Sequence, residues 1–279
     1  MTISKKIWLA ANDRLERIAS ALERLSPAPP APITGKPKAY HWDGQAVCRA
    51  GNFTPLPLSL LSGIDVQRDA LVQNSWRLAR GQGAHDILLW GAKGSGKSAL
   101  VKAGVGAVQA AGGALALVEI AADQVATLPA LFDHLSLWTC ASIVLIDDLA
   151  FDPGQRGARS LRSVLDGGIS ARPAHVRLYV TSNKRSIVAR DMAEQAAAVN
   201  ARDVLDDQLA LADRFGLSVG FHACDQDMYL AIVAKYAAHL GLSFDSADAL
   251  QWATQRGARS GRVAWHYAVE LAGRAGKSL

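Results

Sequence analysis

The fold is decided by one glycine-rich stretch, Gly91-Ala92-Lys93-Gly94-Ser95-Gly96-Lys97-Ser98, which matches the pattern GxxxxGK followed by Ser or Thr. The apolar run Ile87 to Trp90 comes directly before it and predicts a short buried strand. A helical stretch begins directly after it, at Ala99-Leu100-Val101. This pattern binds phosphate when it lies between a strand and a helix, so the sequence predicts a phosphate-binding loop (P-loop) over residues 91–98.

Each residue type in the P-loop suits contact with a polyphosphate. The glycines let backbone N–H groups converge on phosphate oxygens at a helix N-terminus. Lys97 can reach the β- and γ-phosphates, and the hydroxyl of Ser98 can bind Mg²⁺. The alternative is a glycine-rich turn that binds nothing. We expect all eight loop residues to bind ATP and Ser98 to be a metal ligand.

A second metal anchor is predicted where another apolar strand ends. The run Ile143 to Ile146 leads directly into Asp147 and Asp148. Asp147 is placed to hold Mg²⁺ through water. Asp148 and Asp152 are two candidates for the carboxylate that activates the attacking water, and a turn or helix cap is the alternative for both.

Two further residues are candidates for catalysis. Asn183 comes two residues after the predicted strand that ends at Thr181, and it could orient water against the γ-phosphate; a plain turn residue is the alternative. Arg214 lies between a predicted helix and a predicted strand. Its guanidinium could offset transition-state charge as an arginine finger, or it could form a salt bridge at a helix end.

The chain divides into four predicted parts. Residues 1–26 form an amphipathic helix, in which Trp8, Leu15 and Ile18 belong to an apolar stripe suited to packing or to docking a partner. Residues 27–55 are a proline-rich linker. Residues 56–224 form an α/β nucleotide-binding domain, and residues 225–279 form a small helical domain.

The α/β domain is predicted to hold a parallel sheet of five strands covered by helices. Each strand is short and rich in β-branched residues or leucine, as buried parallel strands are. The five runs are Ile87 to Trp90, Leu115 to Ile120, Ser142 to Ile146, Val176 to Thr181 and Leu217 to Phe221. Three helices follow, over Met228 to Leu240, Ala247 to Arg256 and Gly261 to Ala275.

Composition excludes several classes of protein. With 279 residues, 50% of them hydrophobic and 20% charged, the chain is too long for a stapled miniprotein and too apolar for general disorder. Its three cysteines show no metal-ligand spacing, which favours a reducing, cytoplasmic setting. We expect neither a signal peptide nor a membrane span. The net charge of +5 is too mild to indicate a nucleic-acid binder by itself.

The order of these motifs resembles that of the AAA+ ATPases, and the match is closer to an uncharacterised bacterial branch, domain of unknown function 815. It extends from about Leu56 to the C-terminus. Besides the P-loop, it rests on several short segments. These are Gly63-Ile64-Asp65, Asp147 to Asp152, Val164-Leu165-Asp166-Gly167-Gly168, Ala171-Arg172-Pro173, Thr181-Ser182-Asn183, Asp213-Arg214-Phe215-Gly216 and Arg259 to Trp265.

The resemblance implies a P-loop NTPase fold of the AAA+ type with a C-terminal helical lid, and assembly into a homo-oligomeric ring or filament. It implies that Ile64 contacts adenine and that Asn183 is the sensor 1 residue. It also implies a lid arginine, sensor 2, at Arg262 or Arg259; Arg262 is preferred because it opens the last helix. Asp152 departs from the branch, which has glutamate there.

Four functions are compatible with these residues. The first is an ATP hydrolase whose turnover drives a conformational change on an unknown client protein. The second is a nucleotide-gated binding module with slow or no hydrolysis, similar to a helicase loader. A third is nucleic-acid binding by the basic residues between positions 154 and 186, which are Arg156, Arg159, Arg162, Arg172, Arg177, Lys184 and Arg185. A fourth is a P-loop kinase, which the Asp147-Asp148 pair disfavours.

Overall fold

The computed structural model describes residues 8, 14–21, 39–149, 156–166, 172–183 and 212–278. The chain divides into two units, residues 1–33 and residues 34–279. In the first unit, residues 14–21 are helical (α1), and Leu15 and Ile18 are exposed. The rest of the predicted amphipathic helix, apart from Trp8, lies outside the described residues.

The second unit is built on a sheet of seven strands in the order β2-β1-β4-β5-β6-β3-β7. All neighbouring pairs are parallel except β1 and β2, which are antiparallel. The strands are β1 (Ala39–Trp42), β2 (Val47–Arg49), β3 (Ile87–Gly91), β4 (Leu115–Ile120), β5 (Ala141–Ile146), β6 (Val176–Ser182) and β7 (Leu217–Phe221). The five predicted strands are contiguous in this order, from β4 to β7.

The predicted strand count of five is wrong, because β1 and β2 add two strands beside β4. Both lie inside residues 27–55, which the sequence predicts to be a linker. Tyr40 pairs with Val118 of β4, and Trp42 is almost fully buried and donates from Nε1 to Thr127 Oγ1 at 2.7 Å. The prolines just upstream favour a linker in the sequence reading. The strand forms nevertheless, because it is stabilised by pairing with β4, far along the chain, and not by local propensity.

Helices lie between the strands and after the sheet. They are α2 (Asp65–Ala79), α3 (Lys97–Ala110), α4 (Leu128–Ser136), α5 (Arg156–Leu165), α6 (Gln226–His239), α7 (Ser246–Gln255) and α8 (Gly261–Arg274). The last three match the predicted helices within two residues at each end. In the part of the chain that the structure describes, no helix has the length and apolar character that crossing a membrane requires.

The helical domain at the C-terminus has its own core and well-defined helix starts. Tyr229, Tyr267 and Ala268 are fully buried in a cluster separate from the one around the sheet. Asp225 caps α6 by accepting a hydrogen bond from the backbone N–H of Met228 at 2.8 Å, and Ser260 caps α8 in the same way from Val263 at 3.2 Å. A capped helix with a fixed start presents its N-terminus in a defined direction.

A buried polar cluster lies in the core beside the sheet. Tyr179 of β6 is fully buried, and its hydroxyl contacts Asn74 Nδ2 and Ser75 Oγ of α2, each at 3.0 Å. Asn74 also accepts from the backbone N–H of His85 at 2.9 Å. Burial raises the pKa of Tyr179 to about 12, so its hydroxyl stays protonated. The cluster ties α2 to the centre of the sheet.

We expect Tyr179→Phe to lower the free energy of unfolding by about 1–2 kcal/mol, since the change leaves the buried Ser75 hydroxyl and Asn74 amide short of a partner without altering the packed ring. Chemical denaturation of the two proteins measures the difference. Tyr236→Phe, a matched change in the helical domain, controls for the general effect of removing a tyrosine hydroxyl. Equal stability of Tyr179→Phe and the parent would contradict the role given to the cluster.

Candidate nucleotide-binding site

The P-loop lies at the carboxyl end of β3 and leads into α3. Gly91 ends the strand at φ 123°, and a Cβ there would lie 2.0 Å from the carbonyl oxygen of Phe221 in β7. The next residue, Ala92, donates its backbone N–H to that same oxygen at 3.0 Å. Only glycine fits this position, because the loop leaves the sheet in close contact with the neighbouring strand.

Lys97 is the first residue of α3 and is 5% exposed. Its Nζ donates to the carbonyl oxygens of Gly91 at 3.0 Å and Ala92 at 2.8 Å, and to Asn183 Oδ1 at 2.9 Å. Burial lowers the pKa of this ammonium group, and the charges of Asp148 and Asp147 oppose that effect. A buried cation of this kind is stabilised by a polyanion placed beside it.

The two predicted metal ligands lie against each other. Ser98 Oγ donates to Asp147 Oδ1, although the residues come from different elements, α3 and the end of β5. Thr181 Oγ1 donates to the same oxygen at 2.6 Å. Hydroxyl and carboxylate oxygens are the donor set that Mg²⁺ prefers, so these residues fit the ion.

Asp148 lies next to this pair and is exposed to solvent. It adopts φ 55°, the one left-handed backbone conformation outside glycine among the described residues. Its carboxylate accepts a hydrogen bond from Asn183 Nδ2, while Asn183 Oδ1 accepts from Lys97. Asn183 therefore bridges the P-loop lysine and the second acidic residue, as expected if both lie at one edge of a parallel sheet.

A cleft of about 430 Å³ opens between the P-loop and the helical domain. Its apolar part includes Leu60, Ile64, Met228, Tyr236 and Trp265, and its polar part includes the P-loop from Lys93 to Ser98, with Asp147, Asp148 and Asn183. This combination of an apolar recess and an adjoining polar wall fits a purine base joined to a polyphosphate.

Two buried hydroxyls in the cleft wall have no partner within the described part of the chain. These are Ser62 Oγ, beside Ile64, and Ser95 Oγ, in the P-loop. Buried polar groups are normally hydrogen-bonded, so two such groups in one cleft fit a polar ligand.

The last helix of the lid meets the P-loop directly. A Cβ on Gly94, which has φ 76°, would lie 2.9 Å from Ser260 Oγ, and the backbone N–H of Arg262 lies 3.4 Å from the Gly94 carbonyl oxygen. Arg262 lines the cleft, and its charge contributes to the lowered pKa of Lys97. Arg259 is exposed and does not belong to the cleft lining that the described residues form.

Not every predicted site residue reaches the cleft. Arg214 pairs through Nε with Asp166, which follows α5, and neither residue lines the cleft formed by the described residues. The hydrogen bond and charge of Arg214 lower the pKa of Asp166. Asp152 lies outside the described residues.

Two arginines of the predicted nucleic-acid segment make bonds within the fold. Arg172 forms an ion pair with Asp86 at 2.6 Å, and Arg177 Nε donates to the carbonyl oxygen of Ala84 at 2.6 Å. Both contacts fasten the amino-terminal edge of the sheet, opposite the P-loop. The side chains of Arg156, Arg159, Lys184 and Arg185 lie outside the described residues.

Sequence reasoning missed three contributors to the site. Thr181 and Trp265 lie in segments that carry the family resemblance but have no predicted role, and Tyr236 lies in a predicted helix without one. The hydroxyl of Thr181 could have been noticed from its place at the end of a strand, two residues before Asn183. The lid aromatics carried no such signal, because only the docking of the lid brings them to the cleft.

The strand order, the P-loop with its acidic partner strand and the helical lid together define a P-loop NTPase fold of the AAA+ type. By sequence, the chain belongs to the family described as "Protein of unknown function (DUF815)", whose model matches residues 36–275. No curated protein sequence matches the chain significantly.

Solved structures support the same fold at low sequence identity. The chain is similar to the Aeropyrum pernix ORC1 protein in complex with DNA, with a TM-score of 0.54 and 16% identity over 79% of this chain and 63% of that one. It is similar to the Aeropyrum pernix ORC2 protein, with a TM-score of 0.51 and 15% identity over 82% of this chain and 67% of that one. The chain is also similar to the Thermotoga maritima RuvB Holliday junction branch migration motor, with a TM-score of 0.50 and 15% identity over 80% of this chain and 67% of that one.

Proposed function

We propose that this protein binds ATP together with Mg²⁺ and hydrolyses it. The observation that carries the proposal is the convergence of Lys97, Ser98, Asp147 and Asp148 on the wall of one cleft, although they come from two separate strand ends. A P-loop alone would support binding. The second carboxylate, exposed beside the first, supports hydrolysis.

The P-loop residues 91–98 hold the phosphates in this proposal. Lys97 contacts the β- and γ-phosphates, exchanging its bonds to neutral loop carbonyls for bonds to negatively charged phosphate oxygens. Ser98 and Asp147 would hold the metal through their hydroxyl and carboxylate oxygens. When bound, Mg²⁺ supplies charge that offsets the negative charge on the phosphate oxygens.

Asp148 acts as the general base. The oxygen of a water molecule attacks the γ-phosphorus, its proton passes to the Asp148 carboxylate, and the bond to the β–γ bridging oxygen breaks to leave ADP and inorganic phosphate. Asn183, which bonds both Lys97 and Asp148, orients the water and senses the γ-phosphate. Asp152 remains the alternative base.

Contacts with adenine and with the lid complete the proposed site. Ile64, in the apolar part of the cleft, contacts adenine. Of the two lid arginines, we propose Arg262 as the one that contacts phosphate, since it lines the cleft and lies at the start of α8, where the helix dipole adds positive potential. Arg259 remains the alternative.

A neighbouring copy of the chain contributes Arg214 in the proposed assembly. Arg214 lies outside its own cleft and is partly exposed, with its Nε paired to Asp166. A ring or filament of AAA+ type would bring this residue to the next subunit's phosphates. ATP turnover would then move the lid of this chain, and that movement would act on a client protein.

Asp148→Asn tests the proposal, since an amide keeps the shape of the side chain but cannot take a proton. We expect turnover to fall about a hundredfold or more with little change in ATP affinity, measured by phosphate release and by fluorescent-nucleotide titration. Asp133→Asn, on the exposed surface of α4, is the matched control. Hydrolysis by Asp148→Asn at the parent rate would remove Asp148 as the base and leave Asp152 to be tested likewise.

A second candidate function is a nucleotide-gated binding module with slow or no hydrolysis. It is favoured by the hydrogen bond between Asn183 and Asp148, since an aspartate side chain is one methylene shorter than glutamate and this one is already engaged. The same assays separate the two functions. Tight Mg²⁺-ATP binding without phosphate release, at protein concentrations where the chain assembles, would support the binding module.

A further inference from the structure

Thr181 has no role in the proposed function, yet it contacts both aspartates of the site. It lies at the carboxyl end of β6 and is 1% exposed. β6 runs between β5, which leads into Asp147, and β3, which leads into the P-loop. Thr181 is therefore buried midway between the two halves of the phosphate and metal site.

The two hydrogen bonds of the Thr181 hydroxyl have fixed directions. Oγ1 accepts from the backbone N–H of Asp148 at 2.8 Å, and an N–H can only donate. The single hydroxyl proton is then free to go to Asp147 Oδ1, which lies 2.6 Å away. The carboxylate, an acceptor when ionised, completes a chain that runs from the Asp148 backbone through Thr181 to the Asp147 side chain.

This hydroxyl orients the Asp147 carboxylate. Ser98 Oγ and Thr181 Oγ1 both donate to Oδ1, one from α3 and one from β6. Two donors from separate elements restrict rotation of the carboxylate, and both bonds go to Oδ1 rather than to Oδ2. Without Thr181, Ser98 is the one side chain among the described residues that would still donate to this oxygen, and Ser98 is itself a proposed metal ligand.

Thr181 also holds the backbone of Asp148. The left-handed φ of 55° is unfavourable for a residue with a side chain, so it persists only where neighbouring groups enforce it. Thr181 bonds on both sides of that residue. Its hydroxyl accepts from the N–H of Asp148, and its carbonyl oxygen accepts from the N–H of Leu149 at 2.8 Å.

We propose that Thr181 is a positioning residue that sets, through one buried hydroxyl, both the metal-binding orientation of Asp147 and the backbone conformation of Asp148. This inference rests on the proposed function. It links the metal site and the catalytic carboxylate, so a single change at Thr181 alters the response to Mg²⁺ and the rate of hydrolysis together.

The test compares Thr181→Val, which keeps the shape but loses the hydroxyl, with Thr181→Ser, which keeps the hydroxyl but loses a methyl group. We expect Thr181→Val to raise the Mg²⁺ concentration for half-maximal hydrolysis about tenfold and to lower kcat about tenfold or more. ATP affinity in EDTA should stay within about twofold of the parent, since phosphate contacts are unchanged. Thr181→Ser should recover most of both losses.

Ser182→Ala is the matched control. Ser182 is the next residue of β6, fully buried, and its hydroxyl has no partner among the residues that the structure describes. Removing it tests the effect of losing a buried hydroxyl from this strand without touching Asp147 or Asp148. We expect parent values of kcat and of the Mg²⁺ dependence.

Two results would overturn the inference. One is a Thr181→Val protein with the Mg²⁺ dependence and kcat of the parent. The other is a Thr181→Ser protein as impaired as Thr181→Val, which would show that packing by the methyl group matters and the hydroxyl does not. If the parent binds ATP but does not release phosphate, the Mg²⁺ dependence of ATP binding serves as the readout. A parent that binds no ATP overturns the proposed function itself.

Discussion

Lys97→Ala is expected to weaken ATP binding by about a hundredfold or more, the largest loss of affinity from any single change in the cleft. Lys97 is buried, and its Nζ lies within 3.0 Å of two P-loop carbonyl oxygens and of Asn183 Oδ1. Its ammonium is therefore placed to meet the β- and γ-phosphates without first losing a hydration shell. Titration with a fluorescent ATP analogue measures the effect.

Lys102→Ala is the control for Lys97→Ala. Lys102 lies on the same helix, and its ammonium pairs with Glu119 at 2.9 Å on a partly exposed surface away from the cleft lining. Removing it alters the charge of the protein by the same amount, so a general electrostatic effect would appear in both variants. Unchanged ATP affinity in Lys97→Ala would contradict the assignment of the P-loop.

Arg214→Ala is expected to lower turnover about a thousandfold while leaving ATP affinity nearly unchanged, because an arginine finger acts on charge that develops in the transition state. Arg214 lies outside the cleft of its own chain, paired with Asp166, so the effect should depend on assembly. Turnover per subunit of the parent should rise with protein concentration as subunits associate. Light scattering with and without Mg²⁺-ATP follows that association.

Mixing two inactive variants decides whether Arg214 acts between subunits. Arg214→Ala keeps an intact P-loop, and Lys97→Ala keeps an intact Arg214, so a shared interface can combine the two. Recovered phosphate release would support action in trans. If the two variants co-assemble and no activity returns, Arg214 acts within its own subunit or serves only to hold Asp166. Lys93→Ala in place of Lys97→Ala is not suitable, since Lys93 is exposed and its loss is not expected to inactivate the P-loop.

The predictions from sequence succeeded where a short stretch of chain specifies its own structure. The β4 and β7 boundaries, Leu115–Ile120 and Leu217–Phe221, match the predicted runs, because a short run of apolar residues between polar turns has few other ways to be buried. The lid helices are predicted from their periodicity, and all three begin at a side-chain cap, supplied by Asp225, Asp245 and Ser260.

The failures involve contacts between distant parts of the chain. β1 was hidden in a proline-rich segment because its partner, β4, lies far along the sequence. Likewise, local sequence does not indicate the ion pair between Arg214 and Asp166, which are 48 residues apart in the chain. Pairings of this kind depend on how distant elements pack together, so local residue patterns do not predict them.

For the candidate site, the sequence by itself determined the chemical groups: a P-loop from its glycines, lysine and serine, and a pair of aspartates at a strand end. Their spacing in the chain is enough, since the path of the backbone through a strand, loop and helix is local. The tertiary structure alone decided that Asn183 bridges Lys97 and Asp148, and that Thr181 joins the two aspartates. Those contacts exist only because parallel pairing sets β3, β5 and β6 side by side, so that their carboxyl ends meet at one edge.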